Sequence, residues 1–288
     1  LLNQEEDPKL LVLSADHLVS EGKKFHESIE VASKIADSGK IVTLGIKPSK
    51  PEIGYGYIQT NNSNKNKYRD IISFTEKPNF KEAEKYLSLG NYFWNSGIFI
   101  FKASSYLKEL KKYETEIFDI CKKSIGTITK DLDFIRIDSD EFQKCPNKSI
   151  DYAIMEKTKK GVVVPFNGKW SDIGSWETLW DSKTKDKNNN VSEGDVILSD
   201  VRNSFIQSSN RLITAKDVSD LVIIDTQDAL LVSSMNKSQE IKDLVHKLEK
   251  NNRTEASNHR KVYRPWGYYD SLDYGQGFQV KRILVNPG

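Results

Sequence analysis

Leu10-Leu11-Val12-Leu13 runs into Ser14-Ala15-Asp16-His17, and Val162-Val163-Val164-Pro165-Phe166 runs, a few residues on, into Trp170-Ser171-Asp172-Ile173-Gly174. A short Val/Leu run bounded by turn residues reads as a buried parallel strand. Ligands of open α/β sheets bind just outside the carboxyl ends of such strands. Two carboxylates delivered there from distant parts of the chain suit Mg²⁺, which takes one or two protein carboxylates and completes its shell with water and phosphate oxygens. An isolated Asp in such a place more often caps a following helix. The surrounding pattern tips the balance toward the metal.

Working outward, Phe25, Ile29, Ala32 and Ala36 fall at helical spacing with Gly39 just beyond, and Ile41–Ile46 is again strand-like. Strand, helix, strand at this distance predicts a βαβ unit with a right-handed crossover. Pro51–Ile58 is a glycine-punctuated turn entering a strand, and Asn61–Lys67 is a polar hairpin tip. Ile71–Thr75 reads as a strand ending in Glu76-Lys77-Pro78, and Lys81–Leu89 as a helix closed by Gly90. Trp94-Asn95-Ser96-Gly97 opens the run Ile98–Phe101, with a helix over Ser104–Tyr113 and another over Ile150–Lys157. From Val191 to Ser234 helical periodicity gives way to short β-type runs separated by about a rung's length, which suits a β-solenoid. Ser238–Leu248 is a terminal helix, and 249–261 a polar linker. The expected domains are 1–190, 191–250 and 251–288, with the charged stretch 183–190 at the first boundary.

The 288 residues are 37% hydrophobic and 29% charged, ordinary for a water-soluble globular protein. A net charge of +2, from 43 basic and 41 acidic residues, argues against a dedicated nucleic-acid binder. No apolar stretch approaches the ~20 residues that span a bilayer. The polar, acidic start at Leu1–Pro8 carries no secretory signal. Cys121 and Cys145 have neither metal nor redox spacing, which fits a reduced cytoplasmic setting. His17, His26, His246 and His259 are scattered, with no zinc pattern.

The ordered series SADH (14–17), GYGYI (54–58), EKP (76–78), NSG (95–97), SIDYAIMEK (149–157) and WSDIGSW (170–176) resembles the sugar-phosphate nucleotidyltransferases, and within them the bacterial mannose-1-phosphate guanylyltransferases. The match runs nearly end to end, and WNSGIFIF, SIDYAIMEKT and WSDIGSW in order are its most specific part. The resemblance implies an α/β fold: a Rossmann-like mixed sheet flanked by helices, followed by a short left-handed β-helix-like domain. It also implies that Val262–Gly288 joins a cupin-type mannose-6-phosphate isomerase domain. Such proteins open with a glycine-rich loop carrying Arg and Lys that grips the nucleotide phosphates and carries base contacts. Nothing like it precedes Leu1, so the chain is expected to be a piece of a longer protein, inactive by itself.

The implied reaction makes GDP-mannose and pyrophosphate from GTP and mannose 1-phosphate, in a cytoplasmic, Mg²⁺-dependent enzyme that is a homodimer by default. Residue by residue, Asp16 and Asp172 match the metal-binding aspartates, Asp172 from the sugar side and Asp16 from the nucleotide side. Glu76 matches the sugar-hydroxyl acceptor, and Lys77 a point charge for the sugar phosphate. Asn95 would present its amide to the sugar. Gly54 and Gly56 would let backbone approach the sugar where a Cβ obstructs, or form a plain turn. His17 reads as structural, or as a residue supporting a metal ligand, rather than as a base, since the attacking phosphate is already ionised. Trp170 and Trp176 read as packing, or as a wall of the sugar pocket. Asp151 and Glu156, one residue off helical i,i+4 spacing, read as scaffold or subunit-contact residues rather than a carboxylate pair. Other readings are a non-catalytic sugar-nucleotide-binding regulator, a uridylyl- or thymidylyltransferase, and a metal-dependent glycosyltransferase.

Overall fold

The computed structural model describes residues 7–61, 67–126, 128–131, 134–256 and 260–287. The first six residues, the loop tip at 62–66, His259 and Gly288 lie outside that set. The chain divides into two compact units, Leu1–Asp172 and Ile173–Gly288. Among the described residues no helix is long and apolar enough to cross a membrane.

Unit 1 is built on β3 (Ile41–Ile46), every residue of which is buried, running parallel to β9 (Gly161–Phe166). These continuous apolar runs carry no alternation because both faces of the sheet are covered. Along β3 the side chains divide by parity. Val42, Leu44 and Ile46 join Val162, Val164 and Phe166 beneath Ala32 and Ala36 of α1 (Gly22–Ala36). Ile41 and Val163 join Leu110 of α3 (Ala103–Tyr113) and Ile117 of α4 (Thr115–Gly126) on the other face. The sheet order is β1-β6-β3-β9-β5-β4, and β6 also pairs with β4, so five strands close on one another. Here β1 is Lys9–Val12, β4 Tyr57–Thr60, β5 Arg69–Thr75 and β6 Tyr92–Lys102. The predicted helix near 81–89 is α2 (Phe80–Leu89), opened by an Asn79 capping box and closed by Gly90 at φ 73°.

Three expectations change. The apolar run at 10–13 is not a buried parallel strand: among the described residues β1 pairs antiparallel with β6 alone, at the sheet edge, with Leu11 44% and Val12 41% exposed. The βαβ unit is split, because antiparallel β6 lies between β1 and β3. The NSG motif is not a turn that opens a strand but a bulge inside eleven-residue β6. There the register advances from Thr43↔Phe99 to Gly45↔Asn95, and Gly97 takes φ 71°.

A two-stranded ribbon joins β2 (Leu18–Val19) to β10 (Trp170–Ser171), pairing Val19 with Trp170 and Leu18 with Ser171.

Unit 2 begins with α6 (Trp176–Ser182), capped by Ser175, and continues into a solenoid. Parallel ladders join β11 (Val191–Glu193), β13 (Phe205–Ser208) and β15 (Leu221–Asp225), and separately β12 (Val196–Ser199) and β14 (Ile213–Lys216). The corners repeat at about 17 residues: Asp200 and Asp217, Asn203 and Asp220 all have positive φ, a conformation Asn and Asp tolerate by bonding locally. The stretch 183–190 folds as a tight turn: buried Asn190 donates to the Val201 carbonyl and accepts from the Ser204 amide. An antiparallel strand β16 (Leu230–Ser234) and helix α7 (Ile241–Lys250) follow. The unit ends in a meander of β17 (Lys261–Arg264), β18 (Gly267–Gly275) and β19 (Phe278–Val285).

Gly45 sits where β3 is most crowded: a Cβ there would lie 2.4 Å from Val163 Cγ2 and 3.0 Å from Phe93 Cβ. Gly45→Ala is therefore expected to cost about 1–3 kcal/mol by overpacking, measured as a lowered urea midpoint, whereas Gly90→Ala meets no neighbour and pays only for its positive φ.

Candidate functional site

Two clusters gather the sequence-selected residues of unit 1. The first forms around the β2–β10 ribbon. The Ser20 amide donates to the Lys169 carbonyl at 3.0 Å, and the pairing continues through Val19–Trp170 and Leu18–Ser171. One step beyond the paired residues lie Asp172 on one strand and His17, preceded by Asp16, on the other. Neither aspartate is a helix cap, since α1 follows Glu21 and α6 follows Ser175. Asp16 is exposed and Asp172 half-buried.

Aromatic rings fix this corner. His17 meets Trp170 edge-on at 5.4 Å, and Tyr55 meets Trp170 at 5.3 Å and Trp94 at 5.1 Å. The Tyr55 hydroxyl donates to Asp172 Oδ1 at 2.8 Å. Burial, then the charge of Asp172, raises the Tyr55 phenol above its usual value, so it stays a donor. The Gly97 bulge makes room for the SADH segment: a Cβ on Gly97 would lie 3.3 Å from His17 Cε1 and 3.5 Å from Ser14 Oγ. His17 is thus held by packing against Trp170 and beside Gly97. Trp176 lies elsewhere, packed on Phe205 in the solenoid core.

The second cluster lines a cleft of about 600 Å³ between Glu76-Lys77 and the segment Asn147–Lys157. The expected helix at 150–157 is a π turn, Asp151–Met155, whose signature is the Glu156 amide donating to the Asp151 carbonyl at 3.0 Å. Ala153, Ile154 and Met155 anchor it in the core. A five-residue turn brings residues 151 and 156 back to one side, so Asp151 and Glu156 both line the cleft with Glu76. On this turn the two residues are joined through the backbone bond between positions five apart, and both line the same cleft. Lys148 and Lys157, on either flank of the turn, both bond Glu114 Oε1.

Inside the cleft, Glu156 Oε1 accepts the Glu76 amide at 3.1 Å. The Glu76 side chain is 10% exposed, its Oε2 has no hydrogen-bond partner, and Lys77 Nζ stands 3.8 Å from Oε1. Lys77 itself is 60% exposed and takes φ 48°. Burial first, then the charge of Asp151, pushes the Glu76 carboxyl up to about 7, with Lys77 opposing. Burial also raises Asp151. Asn95 is buried and its amide is spoken for: Thr43 Oγ1 donates to Asn95 Oδ1 at 2.8 Å, and Asn95 Nδ2 donates to Asp151 Oδ1 at 2.9 Å. A Cβ on Gly56 would lie 2.5 Å from Glu76 Oε2 and 3.1 Å from Phe74 Cζ, whereas Gly54 lies in a turn, its amide donating to Glu52 Oε1 at 3.2 Å.

Sequence reasoning passed over Thr43 and gave no role to Tyr55, although Tyr55 lies within the quoted GYGYI. Among the described residues no group of three or more His, Cys, Asp or Glu side chains is arranged to hold a metal. Mg²⁺ needs fewer protein ligands than that.

Unit 1 is a mixed-sheet α/β domain that holds both clusters, and unit 2 carries a β-solenoid. Residues 1–189 match the family described as Nucleotidyl transferase, and the chain belongs to that family. Residues 194–248 match the MannoseP isomerase/GMP-like beta-helix domain, and 251–288 the C-terminal Mannose-6-phosphate isomerase domain. The chain is similar to a mannose-1-phosphate guanylyltransferase of Salmonella montevideo, 46% identical over 97% of this chain and 60% of the relative. The protein of that name from Escherichia coli K12 is 44% identical over 99% of this chain and 60% of its own length. The chain thus spans about six tenths of these relatives. Among solved structures it resembles one titled mannose-1-phosphate geranyltransferase, from Thermus thermophilus, with TM-score 0.76 and 27% identity over 86% of this chain and 71% of the other. It also resembles mannose-6-phosphate isomerase from Helicobacter pylori, with TM-score 0.54 and 30% identity over 59% of this chain and 66% of the other.

A carboxyl that holds its proton more tightly when folded loses stability as pH rises from the ordinary glutamate range through about 7. Glu76→Gln is therefore expected to raise the thermal midpoint relative to wild type at pH 8 and to leave it nearly level at pH 5, as a pair of melting scans would show.

Proposed function

We propose that this chain carries the sugar-handling part of an enzyme making GDP-mannose and pyrophosphate from GTP and mannose 1-phosphate. The observation that carries the reading is the pairing of β2 with β10, which joins the segment just after Asp16 to the segment just before Asp172, 156 residues further along the chain. The names of the relatives support the substrates. The proposed catalytic portion extends through residue 190, and 251–288 would open an isomerase domain, as the family matches suggest.

A sugar-phosphate oxygen attacks the α-phosphorus of GTP in line, a new P–O bond forms, and the bond to pyrophosphate breaks. Protein side chains mainly position and neutralise. Asp16 and Asp172 are hard oxygen donors that would hold Mg²⁺. Held there, Mg²⁺ would supply positive charge that offsets the negative charge of both reactants, worth several kcal/mol of transition-state stabilisation. Tyr55 fixes the Asp172 carboxylate through its hydroxyl, so the aspartate's remaining lone pairs keep one orientation. Lys77, exposed at the cleft mouth, pairs with the sugar phosphate as a compact charge. Glu76 and Asp151 bind sugar hydroxyls, Asn95 holding Asp151 in place. Retention of both aspartates, Glu76 and Lys77 favours an enzyme over a binding-only regulator.

In a protein of the relatives' full length, pyrophosphate release from GTP plus mannose 1-phosphate is expected to require Mg²⁺. Asp172→Ala should lower kcat on the order of a thousandfold, and full turnover in that variant would refute the assignment. Glu76→Ala should act mainly on the KM for the sugar phosphate, which steady-state kinetics separates from kcat.

A further inference from the structure

The carboxyl of Glu76 stands in a poor place for an ion. Its side chain is nine-tenths buried, and its Oε2 finds no donor. Two further carboxylates, Asp151 and Glu156, line the same cleft. Glu156 binds the Glu76 main chain, not its carboxyl. Of the cations lining the cleft, Lys77 is 3.8 Å away and largely in solvent, while Lys148 and Lys157 are held by Glu114. The remaining titratable group of the lining, the Tyr152 phenol, is 42% exposed. Three anions facing one solvent-screened cation is a conflict that a buried carboxyl resolves by keeping its proton.

We propose that Asp151 and Glu156, carried on the π turn, are positioning residues that hold Glu76 neutral, so that Glu76 gives the sugar an O–H donor while Asp151 gives it an acceptor. This deepens, and rests on, the reading of the cleft as the sugar pocket. A neutral carboxyl can donate one hydrogen bond, whereas a carboxylate only accepts. Glu76 and Asp151 therefore read two hydroxyls in opposite senses, one oxygen accepting and the other donating. A sugar lacking either hydroxyl leaves a buried polar group unpaired, which is the strong form of discrimination. Asp151 is fixed for its part by the chain Thr43–Asn95–Asp151. The sign with pH follows: sugar affinity is full while Glu76 keeps its proton and falls as that proton leaves.

The test uses the 288-residue chain labelled with ¹³C at glutamate carboxyls, the Glu76 resonance being the one absent from Glu76→Gln. Its NMR titration is expected to have a midpoint near 7. The midpoint should move to lower pH in Glu156→Gln and further in Asp151→Asn, whose charge acts more strongly on Glu76. A merely structural role for either residue would leave that midpoint in place. Titration in the ordinary glutamate range of ~4.3, or a midpoint unmoved in both variants, would overturn the proposal. Calorimetry with mannose 1-phosphate supplies a second arm: the Kd of wild type should rise about fivefold from pH 7 to pH 8 if only the protonated form binds. In Glu156→Gln that rise should begin at lower pH. The ligand's own phosphate ionisation is common to both proteins and cancels in the comparison. A Kd flat across this range would overturn the donor role. Absence of binding at every pH would overturn the sugar-pocket reading and the donor role with it, a failure told apart by a Glu76 midpoint still near 7.

Discussion

The antiparallel pairing of Leu18-Val19 with Trp170-Ser171 is the constraint on which the first cluster depends. It is only two residues long on each side, too short to persist alone. Its persistence comes from the rings on it: Trp170 packs against His17 and Tyr55, and Tyr55 leans on Trp94 of β6. The Tyr55 hydroxyl then ties Asp172 to the turn before β4. Packing energy from buried aromatic area thus fixes the direction of a carboxylate. Gly97 completes the corner by letting the SADH segment approach β6 where a side chain would push it away.

The second cluster applies the same logic with a different element. A π turn of five residues, pinned in the core by Ala153, Ile154 and Met155, delivers Asp151 and Glu156 to one cleft. Glu114 holds the flanking Lys148 and Lys157, which draws their charge away from the carboxylates inside. The cleft keeps three carboxylates, and Glu76 Oε2 finds no hydrogen-bond partner while Lys77 stands 3.8 Å from Oε1. Like charges crowded out of water favour the neutral form, and the local structure meets that cost because its apolar anchors lie on the other side of the turn.

Much of this was legible in the sequence, and what was hidden has identifiable causes. Continuous apolar runs revealed β3 and β9, and capping residues located α2, because those signals are local. The edge position of β1 was not legible: an apolar run looks the same whether one neighbour or two cover it. The bulge in β6 hid behind Gly97, which reads as a turn unless the strand on both sides is recognised as one. The solenoid period did leave a trace, Asp200-Val201-Arg202-Asn203 against Asp217-Val218-Ser219-Asp220, which the alternation of β-type runs obscured. In the cleft, Glu76 and Lys77 were found by resemblance. Asp151 and Glu156 stay hidden because α-helical spacing separates them, and a π turn has no sequence signature of its own. Thr43, inside an apolar strand, gave no sign that its hydroxyl holds Asn95.

The proposed function rests on Asp16 and Asp172 sharing one divalent cation at the ribbon's end. Electron paramagnetic resonance of Mn²⁺ titrated into the protein with mannose 1-phosphate tests it most directly. One bound Mn²⁺ per chain is expected, lost in Asp16→Asn and equally in Asp172→Asn while Glu156→Gln retains it. Undiminished binding in both aspartate variants would contradict the claim.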